Sequence, residues 1–248
     1  MPELDATQWI LAVIVGLFLG FTKTGVAGMN ILVVPLMAMI FPARESVGAL
    51  LPMLIVGDIV AVAYYRKHAV WRHVLPLLPW VMAGMPLGFL ALKYLDNETM
   101  KVVLGVLVLS LIGLRVVRGR LGEWLDRTLP KAWWFIALVG LLAGFATGLA
   151  NAAGSIMSVY LLTQGLPKKE FVGTGAVFYM IVNLVKLPVY TWLGIVTVGS
   201  LTLNGCLVPA ILVGAVLGIL LLPKIPQALF TWLIVILAAA ASIRMMLS

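Results

Sequence analysis

Residues 42–48 read Pro-Ala-Arg-Glu-Ser-Val-Gly, and residues 167–173 read Pro-Lys-Lys-Glu-Phe-Val-Gly. The two copies lie 125 residues apart, which is about half of the 248-residue chain. The same offset aligns three further pairs of polar residues: Asp58 with Asn183, Tyr65 with Tyr190 and Asn30 with Ser155. The pattern predicts a duplicated unit, and many membrane transporters are built from duplicated units with polar groups at matching depth.

The composition is that of a chain that lies largely in lipid. Hydrophobic residues make up 63% and charged residues 10% of the chain, and the mean hydropathy is +1.14. A soluble domain would carry about a quarter charged residues. Uncharged runs such as 132–167 and 187–223 exceed the roughly 20 residues that a helix needs to cross a bilayer. Because they lack the strict alternation of barrel strands, we predict an all-α polytopic membrane protein.

The chain is predicted to form ten helical segments, five in each half. They fall near 8–20, 29–41, 45–65, 73–92 and 99–117, and near 131–147, 154–164, 169–192, 198–222 and 227–246. Each half therefore has two short segments followed by three longer ones. The first repeat covers 1–117, a linker covers 118–130, and the second repeat covers 131–248. The acidic start of the chain favours a permanent helix at 8–20 over a signal peptide.

Each short pair is interrupted by small or polar residues, which favours broken or re-entrant helices. The interrupting residues are Gly25, Ala27 and Gly28 in the first half and Gly148, Asn151 and Gly154 in the second.

The basic residues orient the predicted helices. The polar connection 115–131 should be cytoplasmic under the positive-inside rule. Counting crossings outward from it places eleven basic residues inside and four outside. The loop at Pro42 then lies outside and its copy at Pro167 lies inside, so we predict two inverted repeats with both termini external. The net charge of +8 fits this distribution and does not require a nucleic-acid partner.

Polar side chains occur where lipid should exclude them. Lys23, Asn30, Asp58, Asn183 and Lys186 fall inside predicted spans, and Asn151 lies at the second break. A charge at the centre of a span costs about 2.5–3.5 kcal/mol on insertion scales, so such groups usually line a protein interior or a cavity. Two lysines outnumber the single acid, and an anionic substrate would balance the second lysine. The alternative is internal bonding, with either lysine paired to Asp58 and the asparagines bonded across helices.

These residues define a predicted anion site. Broken helices offer free N–H groups and a positive dipole end to an anion. The predicted substrate-binding residues are Lys23, Thr24, Asn30, Asn151, Ser155, Asn183 and Lys186, with Asp58 as a coupling group or ion-pair partner.

Other chemistry is poorly supported by the sequence. The single cysteine, Cys206, allows no internal disulfide, and His68 and His73 lie together in a basic loop. We therefore predict no cofactor and no metal, and an intramembrane enzyme is only a distant alternative. Tyr64, Tyr65 and Tyr190 are interpreted as part of an interfacial aromatic belt, although a gating role is the alternative.

The chain resembles the sulfite exporter TauE/SafE family of bacterial inner-membrane permeases. The resemblance rests on two glycine-rich stretches, GFTKTGVAGMNILVVPL and GFATGLANAAGSIMSVYLL, each followed by the Pro-x-x-Glu-x-Val-Gly motif. The chain departs from the family pattern where Pro35 after the first break corresponds to Tyr160 after the second. The resemblance implies transport of sulfur-containing anions such as sulfite or sulfoacetate.

Together these features predict a secondary transporter that exports a small sulfur-containing anion by alternating access. An anion channel and a proton-coupled anion importer are the alternatives. The expected partners are the small anion and the lipid bilayer, and a homodimer is left open.

Overall fold

The structure is a computed structural model that describes residues 4–25, 32–103 and 133–221, together with positions 105–106, 109–110, 112–113, 236, 239–240, 243 and 247. Within these residues the regular structure is helical, without a β-strand. The helices are α1 (Ala6–Thr24), α2 (Val33–Ala38), α3 (Ala43–Tyr65), α4 (Trp71–Val74), α5 (Leu78–Tyr94), α6 (97–103), α7 (Trp133–Ala150), α8 (Ala153–Thr163), α9 (Lys168–Trp192) and α10 (Val198–Leu221).

The predicted all-helical membrane class is confirmed. Among the described residues, five helical stretches are long and apolar enough to cross a membrane: Ala6–Thr24, Ala43–His68, Trp133–Ala150, Lys168–Trp192 and Val198–Leu220. The predicted segment 227–246 lies outside the described residues except at four single positions.

The prediction that each half begins with two short segments is wrong for the first member of each pair. Helices α1 and α7 have 19 and 18 residues, whereas α2 and α8 have only 6 and 11. Gly148, predicted to interrupt the second short pair, instead lies within α7, where it allows the α5 backbone at Met85 to approach closely. Gly25 is the C-cap of α1, and the predicted break residues Ala27 and Gly28 lie outside the described residues. The predicted segment 73–92 also begins differently, because a turn at 75–77 that contains Pro76 separates α4 from α5.

The repeated motif forms the start of a long helix in both halves. Pro42 and Pro167 occupy the N-cap positions of α3 and α9, and Glu45 and Glu170 lie in the first turns. A carboxylate at this position is favoured by the positive end of the helix dipole. The motif therefore marks the start of α3 and of α9.

Two helix pairs pack through glycine. Helix α5 packs against α7, and α10 packs against α1. A Cβ atom added to Gly88 of α5 would lie 2.4 Å from the carbonyl oxygen of Phe145. A Cβ atom added to Gly218 of α10 would lie 2.4 Å from the carbonyl oxygen of Phe21. Because side chains are absent at these points, the backbones come into direct contact, as is common between membrane helices.

Helices α3 and α9 cross antiparallel in the middle of the molecule. Near the start of α3, a Cβ atom on Gly48 would lie 2.0 Å from the carbonyl oxygen of Ile195, which follows α9. Near the start of α9, a Cβ atom on Gly173 would lie 2.7 Å from the carbonyl oxygen of the residue that ends α3. Midway along the pair, Asn183 of α9 donates a hydrogen bond to Asp58 of α3. Residues related by the 125-residue offset therefore make reciprocal contacts.

Candidate functional site

One face of α9 carries a line of buried polar side chains, which we call the α9 polar stripe. It consists of Tyr179, Asn183, Lys186 and Tyr190. Their spacings of four, three and four residues place them one above another on the same helix face. All four are buried, with Lys186 and Tyr190 at 0% exposure. The stripe therefore lies inside the protein, where each polar group needs a partner.

A buried ion pair lies beside the first part of the stripe. Lys23, in the last turn of α1, places its Nζ 2.5 Å from Oδ1 of Asp58. Asn183 donates from Nδ2 to the other carboxylate oxygen of Asp58 at 2.6 Å. The carboxylate is thus held by two helices at once, and its charge is balanced by Lys23. The alternative of an internal Lys23–Asp58 pair is the arrangement that the structure contains.

Tyr179 supports the same lysine from the other side. The Nζ atom of Lys23 lies 4.7 Å from the centre of the Tyr179 ring, which is within cation–π range. The Tyr179 hydroxyl donates to the carbonyl oxygen of Gly154 at 3.3 Å. Gly154 lies in the first turn of α8, so this hydroxyl connects the ion pair to the broken helix.

Lys186 has neutral partners. Its Nζ donates to Oγ1 of Thr147 at 2.8 Å and to Oδ1 of Asn151 at 2.6 Å. It also lies 5.8 Å from the centre of the Tyr190 ring. Among the described residues no carboxylate forms an ion pair with it. Lys186 is therefore fully buried without a described counter-ion, and its protonated form is unfavourable in a low-dielectric interior unless a negative charge is supplied.

Asn151 joins Lys186 to the break between α7 and α8. Its φ angle of 56° is the only positive φ of a described non-glycine residue. Asparagine tolerates this left-handed conformation better than most residues. Its Nδ2 donates to the carbonyl oxygen of Val47 in α3 at 2.8 Å, while its Oδ1 accepts from Lys186. The side chain thus connects the break, α3 and α9.

Tyr190 closes the far end of the stripe. Its hydroxyl lies 2.8 Å from the carbonyl oxygen of Gly148 and 3.2 Å from that of Thr147. These carbonyls belong to the last turn of α7, where that of Thr147 also accepts from the Asn151 amide at 3.1 Å. The interpretation of Tyr190 as part of an interfacial belt is wrong, because the side chain is fully buried. Tyr64, by contrast, is 56% exposed.

The structure brings together five of the predicted site residues: Lys23, Asp58, Asn151, Asn183 and Lys186. The Thr24 hydroxyl instead donates to the carbonyl oxygen of Ala215 at 2.8 Å, which bonds α1 to α10. Ser155 lies in the first turn of α8, but its side chain, like the whole of Asn30, is outside the described part of the chain.

The sequence reasoning missed Thr147 and Tyr179 as members of this site. Each lies four residues before a residue that was identified, Asn151 and Asn183 respectively. Helical spacing from those asparagines is the signal that could have revealed them.

Five apolar helices of spanning length, a broken helix and two buried lysines define a polytopic membrane protein of the transporter class. The sulfite exporter TauE/SafE family matches residues 12–245, and the chain belongs to this family. The family is one of membrane transporters, so the resemblance stated from the sequence is confirmed. Comparisons with curated proteins and with solved structures found no match.

Proposed function

We propose that this protein is a secondary transporter that exports a small sulfur-containing anion, either sulfite or an organosulfonate, across a bacterial inner membrane. The observation that carries the proposal is Lys186, a fully buried cation whose described partners are all neutral. A bound anion would supply the missing negative charge. The family membership supports the choice of a sulfur-containing anion.

The surroundings of Lys186 leave it able to bind an anion. A lysine ammonium has three N–H donors. Two of them are used by Thr147 and Asn151 at 2.8 and 2.6 Å. Within the described part of the chain, the third has only the carbonyl oxygen of Thr147 at 3.5 Å, which is beyond the usual range for a hydrogen bond. An oxygen of a sulfonate or sulfite could take this position, with the Thr147 hydroxyl and the Asn151 amide close enough to orient it.

The predicted substrate residues divide into different roles in this proposal. Lys186 and Asn151 contact the anion. Asn183 holds Asp58, and the Lys23–Asp58 pair forms the neutral wall of the site. Asn30 and Ser155 remain proposed ligands because each belongs to a break between helices. Thr24 holds α1 against α10.

An inverted repeat is the architecture that we propose for alternating access. The reciprocal contacts of Gly48 and Gly173, and the matching glycine contacts of α5 with α7 and of α10 with α1, support it. In such an architecture the two broken segments meet near the bilayer midplane. The charge distribution of the loops favours external termini.

Export is the direction that electrostatics favours. An inside-negative membrane potential drives an anion outward with about 2.3 kcal/mol per charge per 100 mV. No coupled ion is then required. A proton-coupled importer would need a titrating acid in the membrane, and Asp58 is already held by Lys23 and Asn183.

Counterflow in sealed liposomes tests the proposal. The purified protein should exchange labelled sulfite or an organosulfonate saturably across the membrane. Lys186→Met should reduce uptake by about tenfold or more, because it removes a charge-assisted contact of roughly 1.5–3 kcal/mol. Lys93→Met is the matched control, since Lys93 lies in the last turn of α5 beside the exposed rings of Tyr94 and Trp192.

Two results would contradict this model. Unchanged anion exchange by a well-folded Lys186→Met variant would remove Lys186 from the site. An ohmic anion current through planar bilayers, without counterflow, would replace the carrier with a channel.

A further inference from the structure

The charges on and beside the α9 polar stripe determine which anions the site can accept. The charged residues described there are Lys186 on the stripe and the Lys23–Asp58 pair beside it. Residues 26–31, which follow α1 in the sequence and which the structure does not describe, contain no charged side chain. With both lysines protonated, these three groups carry two positive charges and one negative charge.

The structure also shows how these charges are divided. Asp58 lies 2.5 Å from Lys23, and Asn183 fixes its second oxygen. Lys186 follows Asn183 by three residues on the same face of α9, so it lies about one turn from the Asp58 carboxylate. Its own hydrogen bonds go to Thr147 and Asn151. Among the described residues, Lys23 thus has a carboxylate partner and Lys186 has none.

We infer that Asp58 is a specificity-determining residue. Because its carboxylate balances one of the two lysines, the site keeps one net positive charge and selects a singly charged anion over a doubly charged one. The inference rests on the proposed function of Lys186 as the anion-binding cation. A monoanion beside Lys186 makes the buried site neutral. A dianion leaves one negative charge in excess in the buried site. An uncompensated charge is costly where little water is present to solvate or screen it.

The site therefore fits an anion with a single sulfonate or bisulfite group better than one with an additional carboxylate. Isethionate and sulfoacetate are suitable probes, because they are similar in size and differ by one negative charge. Titration calorimetry of the purified protein in detergent, at constant ionic strength and pH 7.5, gives both affinities. The wild-type protein should bind isethionate more tightly than sulfoacetate by about tenfold or more.

Two variants separate charge from structure. Asp58→Asn raises the net charge of the three groups from one to two. The ratio of sulfoacetate affinity to isethionate affinity should therefore rise by about tenfold or more. Lys23→Met combined with Asp58→Asn removes the whole pair and returns the net charge to one. The double variant should therefore recover the wild-type preference. A purely structural role for the pair does not predict this recovery.

Each result decides the inference. Tighter binding of sulfoacetate by the wild-type protein, or an unchanged ratio in folded Asp58→Asn, would overturn it. If Asp58→Asn does not fold, the inference is tested by the affinity ratio of the wild-type protein and by the double variant. A folded double variant that prefers sulfoacetate, or that binds neither probe, contradicts the inference. If the protein binds sulfoacetate but not isethionate, and this binding depends on Lys186, the inference fails but the proposed function is supported. If the wild-type protein binds no sulfur-containing anion, both the inference and the proposed function are contradicted.

Discussion

Gly88 of α5 offers a direct test of the close helix packing. In Gly88→Ala the new Cβ would lie 2.4 Å from the carbonyl oxygen of Phe145 and 2.7 Å from the amide nitrogen of Leu149. Ordinary van der Waals contact begins at 3.4 Å, so α5 and α7 must separate by about 1 Å. Both obstructing atoms belong to backbone and cannot rotate away. Overpacking of this kind costs about 1–3 kcal/mol, and we expect Gly88→Ala to lower the free energy of unfolding by that amount.

The matched control is Gly205→Ala in α10, where no atom lies within 4 Å of the added Cβ. Alanine has a helix propensity up to about 1 kcal/mol better than glycine, so this variant should be as stable as the wild type or more stable. Chemical unfolding in detergent micelles, followed by tryptophan fluorescence, measures both variants. Equal stability of Gly88→Ala and Gly205→Ala would refute direct backbone contact between α5 and α7.

The other predictions concern the buried pair, the break and one exposed cap. Lys23→Met alone should lower the free energy of unfolding by about 3–5 kcal/mol, because it leaves the buried Asp58 carboxylate without a counter-ion. Adding Asp58→Asn should recover much of that loss in the same unfolding assay. Asn151→Ala should be about 1 kcal/mol less stable than Asn151→Gly, because the Cβ of alanine makes a positive φ sterically unfavourable and glycine has no Cβ. Equal stabilities of the two variants would contradict the left-handed conformation at this position. The Thr99 amide, 2.7 Å from the exposed Asp96 carboxylate, holds the pKa of that group below its ordinary value of 3.8. The cap should therefore be complete above pH 3.8 and be lost as the pH falls through the lowered pKa, and faster hydrogen exchange of the Thr99 amide would report that loss.

Much of the fold could be predicted from the sequence, because lipid imposes long apolar helices and the repeated motif marks their starts. The helix starts at Pro42 and Pro167 and the interruption at Asn151 follow directly from this pattern. The lengths of α1 and α7 do not. Gly148 resembles a break in the sequence, and only the position of the α5 backbone against it shows why glycine is present there.

The site was predicted less completely for a related physical reason. A helix that is apolar on all sides does not indicate which face is turned inward. Lys23, Asp58 and Lys186 could be identified because charge in a span is costly. Tyr190 could not, since tyrosine is common at the membrane surface and within spans alike. Its contact with the end of α7 forms only when the folded chain brings α7 and α9 together.

The hydrogen bond between Asp58 and Asn183 joins two positions that the predicted repeat aligns, 125 residues apart. Two separate identical chains that crossed in the same way would place aspartate against aspartate or asparagine against asparagine. Two carboxylates in contact repel each other, and two amides would leave Lys23 without a counter-ion. A single chain that contains both copies can place one acid and one amide at the crossing. Fusion of the two copies thus permits a charge arrangement that a homodimer of either half could not form.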